Sequence, residues 1–419
     1  MTHDETPNRL DSKGAGLGLR FLILLGLLDA FGPLGIDMYL PAFPEIGRDL
    51  HAGGGRVELT LSLFLAGLAI GQLICGPISD RIGRRKPLLF GAAAFAAASV
   101  VCAFTRSIEA LIAARFIMGL AGATGMVVAR AVVRDVYEEG DSARVYSMLM
   151  LVIGVAPIIS PSLGAWVMVF GGWPAIFWSL ALFACVCGAG VLLDMPETLA
   201  DDRRDREPAV SIAPRYVEVF TDRRFLGYAI PSSLALGMIF AYVTAAPSMF
   251  LKHFQLSQTA FNVVFAGNAI GLIGAAQVNR RLSRYFDTHG ILRGASRVNA
   301  VAAVLMASLA WTGVGGFSIF LATIFLSLSM IGLILPNATA AVMAPFPDHA
   351  GVASALLGAL QFAVGAAAGA AVGLASDGTP RAMALTMACF ATISLAVSTV
   401  VERRRGQAEE TEWAVAAGS

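Results

Sequence analysis

Charge is what this sequence has least of. Only 14% of its 419 residues are Asp, Glu, Lys or Arg, against about 25% in an average soluble domain. A water-facing surface cannot be covered with so little charge, so most of the exterior must meet something other than water. The 57% hydrophobic share and the mean hydropathy of +0.71 agree. Histidine is scarce, and His3, His51, His253, His289 and His349 all fall in tails or connecting loops. No His-Glu-x-x-His, Ser/His/Asp or metal-spaced grouping appears, which argues against a membrane enzyme and against a metal site. There is no Gly-x-x-x-x-Gly-Lys-Ser/Thr loop, so ATP is not expected to drive the protein directly. The five cysteines stand in apolar stretches without a Cys-x-x-Cys pair and read as small buried or lipid-facing residues. A net charge of +1 offers no field to attract nucleic acid. No cleavable signal peptide is expected, because the first twenty or so residues are polar and no small-residue cleavage site follows the first apolar run.

Long apolar runs, by contrast, are abundant. A bilayer core takes about 20 apolar residues per helix. Twelve such segments occur, at 20–42, 57–78, 87–105, 109–131, 144–169, 173–193, 225–250, 259–280, 291–312, 316–342, 350–375 and 380–401. They lack period-2 alternation and are twice as long as a barrel strand needs. The expected fold is therefore all-α and integral to the membrane. Lys and Arg fix the orientation, since basic residues collect on the cytoplasmic side. With the N-terminus inside, 24 of them fall inside and five outside, with Arg115 left within a span. Both termini are expected in the cytoplasm. One connection, 194–224, is long, charged and Pro-containing, and it divides the spans into six and six. The expected layout is a cytoplasmic tail 1–19, a six-helix bundle 20–193, the linker 194–224, a second bundle 225–401 and a tail 402–419. Two equal halves suggest a transporter with its substrate site between them.

Between spans 2 and 3 runs GQLICGPISDRIGRRKPLLFG, residues 71–91. Gly76, Asp80, Arg81, Gly83, Arg84 and Arg85 fit Gly-x-x-x-Asp-Arg-x-Gly-Arg-Arg. The glycines permit a tight turn, and the charges can cap a helix or pair with acids and headgroups. A merely topogenic basic loop would explain the arginines but neither Asp80 nor the glycines. The pattern resembles the signature of the major facilitator superfamily. The resemblance implies that Asp80, Arg81 and Arg84 form a conformational latch with Gly76 and Gly83. It sets Asp80 opposite Asp348–Gly351 at the start of span 11, and a loop arginine opposite Asp135 at the end of span 4. Span 5 places Gly154, Pro157, Pro161 and Gly164 in one helix. Prolines bend helices and glycines admit close neighbours, as in many membrane helices. The arrangement also resembles the Gly-Pro signature of drug–proton antiporters, although Ala156 and Ser160 stand where that signature has glycine. IDMYLPAFPEI in span 1, Pro196–Leu199 after span 6 and GLILPNATAAVMAPFPDHAGVASALLGALQF across spans 10 and 11 resemble the Bcr/CflA subfamily. That resemblance implies proton-coupled export of small, drug-like molecules from the bacterial inner membrane by a monomer among lipids. It implies no cofactor, with the proton gradient as the energy source. Proton-coupled uptake of a metabolite is the alternative on the same fold.

Charges inside spans cost about 2.5–3.5 kcal/mol each, which makes them functional candidates. Asp29 and Asp37 lie eight residues apart in span 1; on a straight helix they share nearly one face, about 12 Å apart. Arg115 in span 4 falls at the depth of Asp37. The expectation is that both acids are protonatable, that Asp37 pairs with Arg115, and that Asp29 stands unpaired where it can meet both drug and proton. The structural alternatives are a cap near the outer surface for Asp37, a buried packing residue for Asp29, and a packing ion pair for Arg115. Tyr39, Tyr242, Asn268, Asn337 and Gln361 are further candidates to line a substrate cavity, with interhelical hydrogen bonds as the alternative role.

Overall fold

A computed structural model describes residues 19–53, 55–137, 139–199, 209–347 and 349–418. Among these the regular secondary structure is all helical. In order come α1 (Leu19–Asp29), α2 (Phe31–Asp37), a 3-10 turn (Leu40–Ala42), α3 (Phe43–Asp49), α4 (Arg56–Ile82), α5 (Arg85–Phe104), α6 (Ile108–Val136) and α7 (Glu139–Asp194). The second half holds α8 (Ala209–Thr221), α9 (Arg223–Pro247), α10 (Gln258–Leu282), α11 (Thr288–Thr312), α12 (Gly316–Met343), α13 (Ala350–Leu374) and α14 (Arg381–Gly418). Ten described helices are long and apolar enough to cross a bilayer, and the bent pair of α1 with Phe31–Asp49 makes an eleventh.

Helix starts follow the sequence. Ser107, Asp222, Ser257 and Asp287 each accept a hydrogen bond from a backbone N–H of the first turn, at 2.7–3.3 Å, supplying an acceptor to donors that have no partner within the helix. Two interruptions matter more. Pro33 has no N–H to offer the carbonyl of Asp29, and its ring crowds that carbonyl. The helix accordingly breaks at Ala30 and the first span bends by 47°. The 56-residue α7 is also interrupted, at Gly171 and at Gly172 with φ +64°, a left-handed conformation that costs a residue with a Cβ about 1–2 kcal/mol. Trp173, at the restart, donates its N–H to Glu45 of α3 at 3.3 Å. The break falls between the two apolar segments expected at 144–169 and 173–193.

The polarity is that of a body in lipid. Phe90 and Leu193 are 76% and 82% exposed, while Asp29, Arg84 and Arg115 are buried. The N-terminal half is α1 to α7 and the C-terminal half α9 to α14. They meet where α4 runs along α13 and where α7 meets α10. At the end away from the basic loops this seam is closed. The backbone of Gly55 lies against the carbonyl of Gly373 with no room for a side chain between them. Ser248, in the π-turn after α9, donates to Glu58 of α4 at 2.7 Å. At the basic end the halves stand apart around a cavity of about 720 Å³. The linker forms one described helix, α8, whose Arg215 and Tyr216 wall that cavity. The expected tail after residue 401 continues α14 as a helix to Gly418.

Candidate functional site

A second cavity, of about 310 Å³, lies deeper between the halves. Gly32, Pro33, Ile36 and Asp37 of the broken first span form one wall, with Met126 of α6 and Gly154 and Pro157 of α7. α9, α10, α12 and α13 form the other, with Tyr242 and Asn268 among mostly apolar neighbours. Asn268 donates to the Tyr242 hydroxyl at 3.0 Å, and its own carbonyl oxygen is buried without a hydrogen-bond partner among the described residues. One ionisable acid thus faces a small polar pair across an apolar chamber. Such a chamber holds an apolar ligand by shape and orients it by a few polar contacts. Gly154 packs beside Ile273 of α10 across the seam, and Gly164, further along α7, lies against the backbone carbonyl of Met38. Pro161 is buried on the same helix.

The other expected cavity residues lie elsewhere. Tyr39 is fully buried, with its hydroxyl 2.9 Å from that of Thr60. Asn337 donates to Asn279 at 2.7 Å and to the carbonyl of Leu333 at 2.8 Å. Gln361 donates to Ser232 at 2.9 Å. None of the three borders the central cavity.

The pairings around Asp29 and Asp37 differ from expectation. No ion pair joins Asp37 to Arg115 among the described residues. Arg115, fully buried, donates to the carbonyl of Gly35 at 2.8 Å and lies over the rings of Phe64 and Tyr39, 4.2 and 4.5 Å from their centroids. Gly35 is in the last turn of α2, where carbonyls run out of helical donors, and aromatic faces attract a guanidinium. A carbonyl made available by the short helix, rather than a carboxylate, receives the arginine. Asp29 is not unpaired either: its carboxylate lies 3.5 Å from Arg130 of α6. The shared face expected on a straight helix is removed by the break at Ala30, and the two acids have separate surroundings. Arg130 was missed because its place in ARAVVRDVY, near the end of a span, reads as a topogenic charge. Only the packing of α1 on α6 brings it to Asp29.

The turn after α4 is built around Arg84. Its guanidinium, 2% exposed, donates to Asp135 at 2.7 Å, Asp80 at 2.5 Å and the Ser79 hydroxyl at 2.7 Å. Burial alone would make Arg84 less basic. The hydrogen bond and charge of Asp135, with Asp80 behind them, outweigh it and hold Arg84 above the ordinary arginine range. Asp135 is the acid that the resemblance set opposite this loop. Gly83 turns the chain at φ +92°, and a side chain there would strike the Glu197 carboxylate. Glu197 accepts from the backbone N–H groups of Arg84 and Arg85, at 2.7 and 3.3 Å, and so caps α5. This gives the Pro-Glu-Thr-Leu run a physical role that the sequence did not disclose. Gly76 and Asp80 line the basic-end cavity together with Gly351 at the start of α13, and Arg81 is half-buried beside them. Asp348 lies outside the described residues.

Comparison with known proteins accords with this architecture. The family model described as Major Facilitator Superfamily matches residues 25–370. The MFS-type transporter YdgK of Bacillus subtilis is 34% identical over 392 residues, covering 93% of this chain and 97% of its own length. A bicyclomycin resistance protein homolog of Haemophilus influenzae is 30% identical, covering 90% and 94%. Multidrug resistance protein D of Escherichia coli is 30% identical, covering 82% and 86%. Among solved structures, a D-xylose–proton symporter superposes with a TM-score of 0.70 at 13% identity, covering 90% of this chain and 97% of its own. The human organic anion transporter MFSD10 does so with a TM-score of 0.66 at 18% identity, covering 90% and 99%.

Proposed function

The chain belongs to the major facilitator superfamily, and from that premise we propose that it exports small, drug-like molecules across the bacterial inner membrane in exchange for protons. It is a transporter and not an enzyme. The observation that carries the reading is the central cavity, apolar, shared by both halves, faced by Asp37 and closed off at the end away from the basic loops. Relatives named for bicyclomycin and multidrug resistance supply the direction and the substrate class.

In this reading the first span is the broken run from Leu19 to Asp49 and α7 counts as two spans divided at Gly171–Gly172, which makes twelve. The basic end, with both termini, is cytoplasmic. Residues 20–193 and 225–401 are the two rocking bundles, 194–224 joins them, and 1–19 and 402–419 are tails. Asp37 and Asp29 carry protons, Arg115 holds the end of α2, and Tyr242 and Asn268 contact the substrate. Gly76, Asp80, Arg81, Gly83, Arg84 and Asp135 form the latch, and Gly154, Pro157, Pro161 and Gly164 shape the helix that lines the seam. The protein acts as a monomer among lipids, with no cofactor, and the proton gradient supplies the energy. The fold is also that of a sugar–proton symporter, so uptake is the second reading.

The test is proton exchange in everted vesicles holding a pH gradient, with bicyclomycin, chloramphenicol and ethidium as probes. Export predicts that at least one probe discharges the gradient in vesicles carrying the protein and not in vesicles without it. No discharge by any probe, with gradient-driven accumulation of a radiolabelled metabolite in whole cells, establishes uptake instead.

A further inference from the structure

We infer that Arg130 is the positioning residue that takes the place of the proton on Asp29, so that Asp29 discharges into the basic-end cavity while that cavity is open. The inference rests on the reading of Asp29 as a coupling carboxylate.

Asp29 is completely buried, and among the described residues neither carboxyl oxygen accepts a hydrogen bond. An ionised carboxylate removed from water costs several kcal/mol unless it is paired. Among the described residues the neutralising partner is the guanidinium of Arg130 at 3.5 Å, and the alternative is a proton. Other charges near α1 are placed elsewhere. On α6, Glu109 pairs with Arg56, Arg115 is held by Gly35 and the aromatic rings, Asp135 is held by Arg84, and Arg134 lines the cavity. α2 brings Asp37, which faces the central cavity. α7 brings Asp194 at its far end, while the side chains of 139–144 lie outside those described. Among the described residues, Arg130 is the charged group within 4 Å of Asp29.

Arg130 also has a second environment. Its side chain is 37% exposed, and it forms part of the wall of the basic-end cavity, beside Asp80 and Arg134. Asp29 and Arg130 belong to the same half, whereas the facing wall, including Met343 and Gly351, belongs to the other. Rocking of the halves therefore changes the water around Arg130 without separating it from Asp29. In the state with the cavity open, the carboxyl O–H bond breaks, water of the cavity that Arg130 walls takes the proton, and the carboxylate is left in an ion pair with the guanidinium, which itself neither accepts nor gives up a proton. Arg130 stays protonated throughout, so one proton leaves for each Asp29 discharged.

The experiment is infrared difference spectroscopy of the full-length protein in lipid nanodiscs at about pH 7, with no substrate added, reading the carbonyl stretch of protonated carboxyl groups. In Arg130→Gln the protonated share of one carboxyl is expected to rise about tenfold over the parent, and this band is expected to vanish in Asp29→Asn/Arg130→Gln. A spectrum of Arg130→Gln that matches the parent, or a band that survives in the double variant, overturns the inference. Should Arg130→Gln not fold, Arg130→Lys decides. Its shorter, single-point arm is expected to leave more of the carboxyl protonated than in the parent, and a spectrum superimposable on the parent's overturns the inference. Drug-induced proton exchange by Asp29→Asn is measured separately. If that variant exchanges protons like the parent, the coupling reading of Asp29 fails while the infrared result on Arg130 stands.

Discussion

At the scale of single residues, neighbours decide what each charge does. Asp37 is an acid on the wall of an apolar chamber, and Asp37→Asn keeps its size and removes its proton chemistry. The expected outcome is loss of probe-driven proton exchange in everted vesicles with the protein still inserted and monodisperse in detergent; unchanged exchange would exclude Asp37 from coupling. Arg84 holds together the turn of the proposed latch. Arg84→Ala leaves the nearly buried Asp135 carboxylate without its guanidinium, and breaking a buried pair in this way costs about 3–5 kcal/mol. The variant should lose several degrees of apparent melting temperature in detergent, and Asp135→Asn should restore part of the loss. Both acids, and the arginine turn with Asp135, are visible in the sequence as charges at telling positions. The partners of Asp29 and Arg115 are not, because Arg115 chose a carbonyl and Asp29 found Arg130 through contacts between residues about a hundred positions apart.

Two interruptions shape the site at the scale of helices. Pro33→Ala returns an N–H to the carbonyl of Asp29 and removes the crowding that bends the first span. The bend carries Gly32, Pro33, Ile36 and Asp37 into the cavity wall. Straightening it should therefore cut efflux of an exported probe by about tenfold or more, while ΔΔG of folding changes by about 1 kcal/mol or less. Transport by Pro33→Ala at the parent rate would show that the bend is dispensable. Gly172→Ala acts at the other break. A Cβ there is strained by φ +64° and lies 2.5 Å from the Glu45 carboxylate. Apparent melting temperature should fall by an amount corresponding to about 1–2 kcal/mol, and Gly171→Ala, at an extended φ of −172°, should fall less. The apolar runs and the gap between 169 and 173 made the second break legible. Pro33 was present within the first run, but composition alone does not say whether a proline kinks a membrane helix or breaks it.

For the whole molecule, the closed end must open if cargo is to leave there. Glu58 and Ser248 belong to different halves and hydrogen-bond across the seam. In a background without native cysteines, Glu58→Cys and Ser248→Cys bridged by a short bis-maleimide should abolish efflux, with each single cysteine variant transporting normally after the same treatment. Efflux that continues at the parent rate in the bridged protein would mean that the halves do not separate at this end.

The sequence by itself determined the solvent and the helical class. These follow from sums over many residues: too little charge for water, runs long enough for a bilayer, basic residues gathered on alternate loops. It also marked which charges are out of place. The tertiary structure decided what those charges touch. A helix break, a carbonyl left over at a helix end and the packing of α1 on α6 are each set by one or two residues and their distant neighbours. For that reason Asp29 and Asp37, alike in sequence and eight residues apart, face one an arginine and the other a cavity.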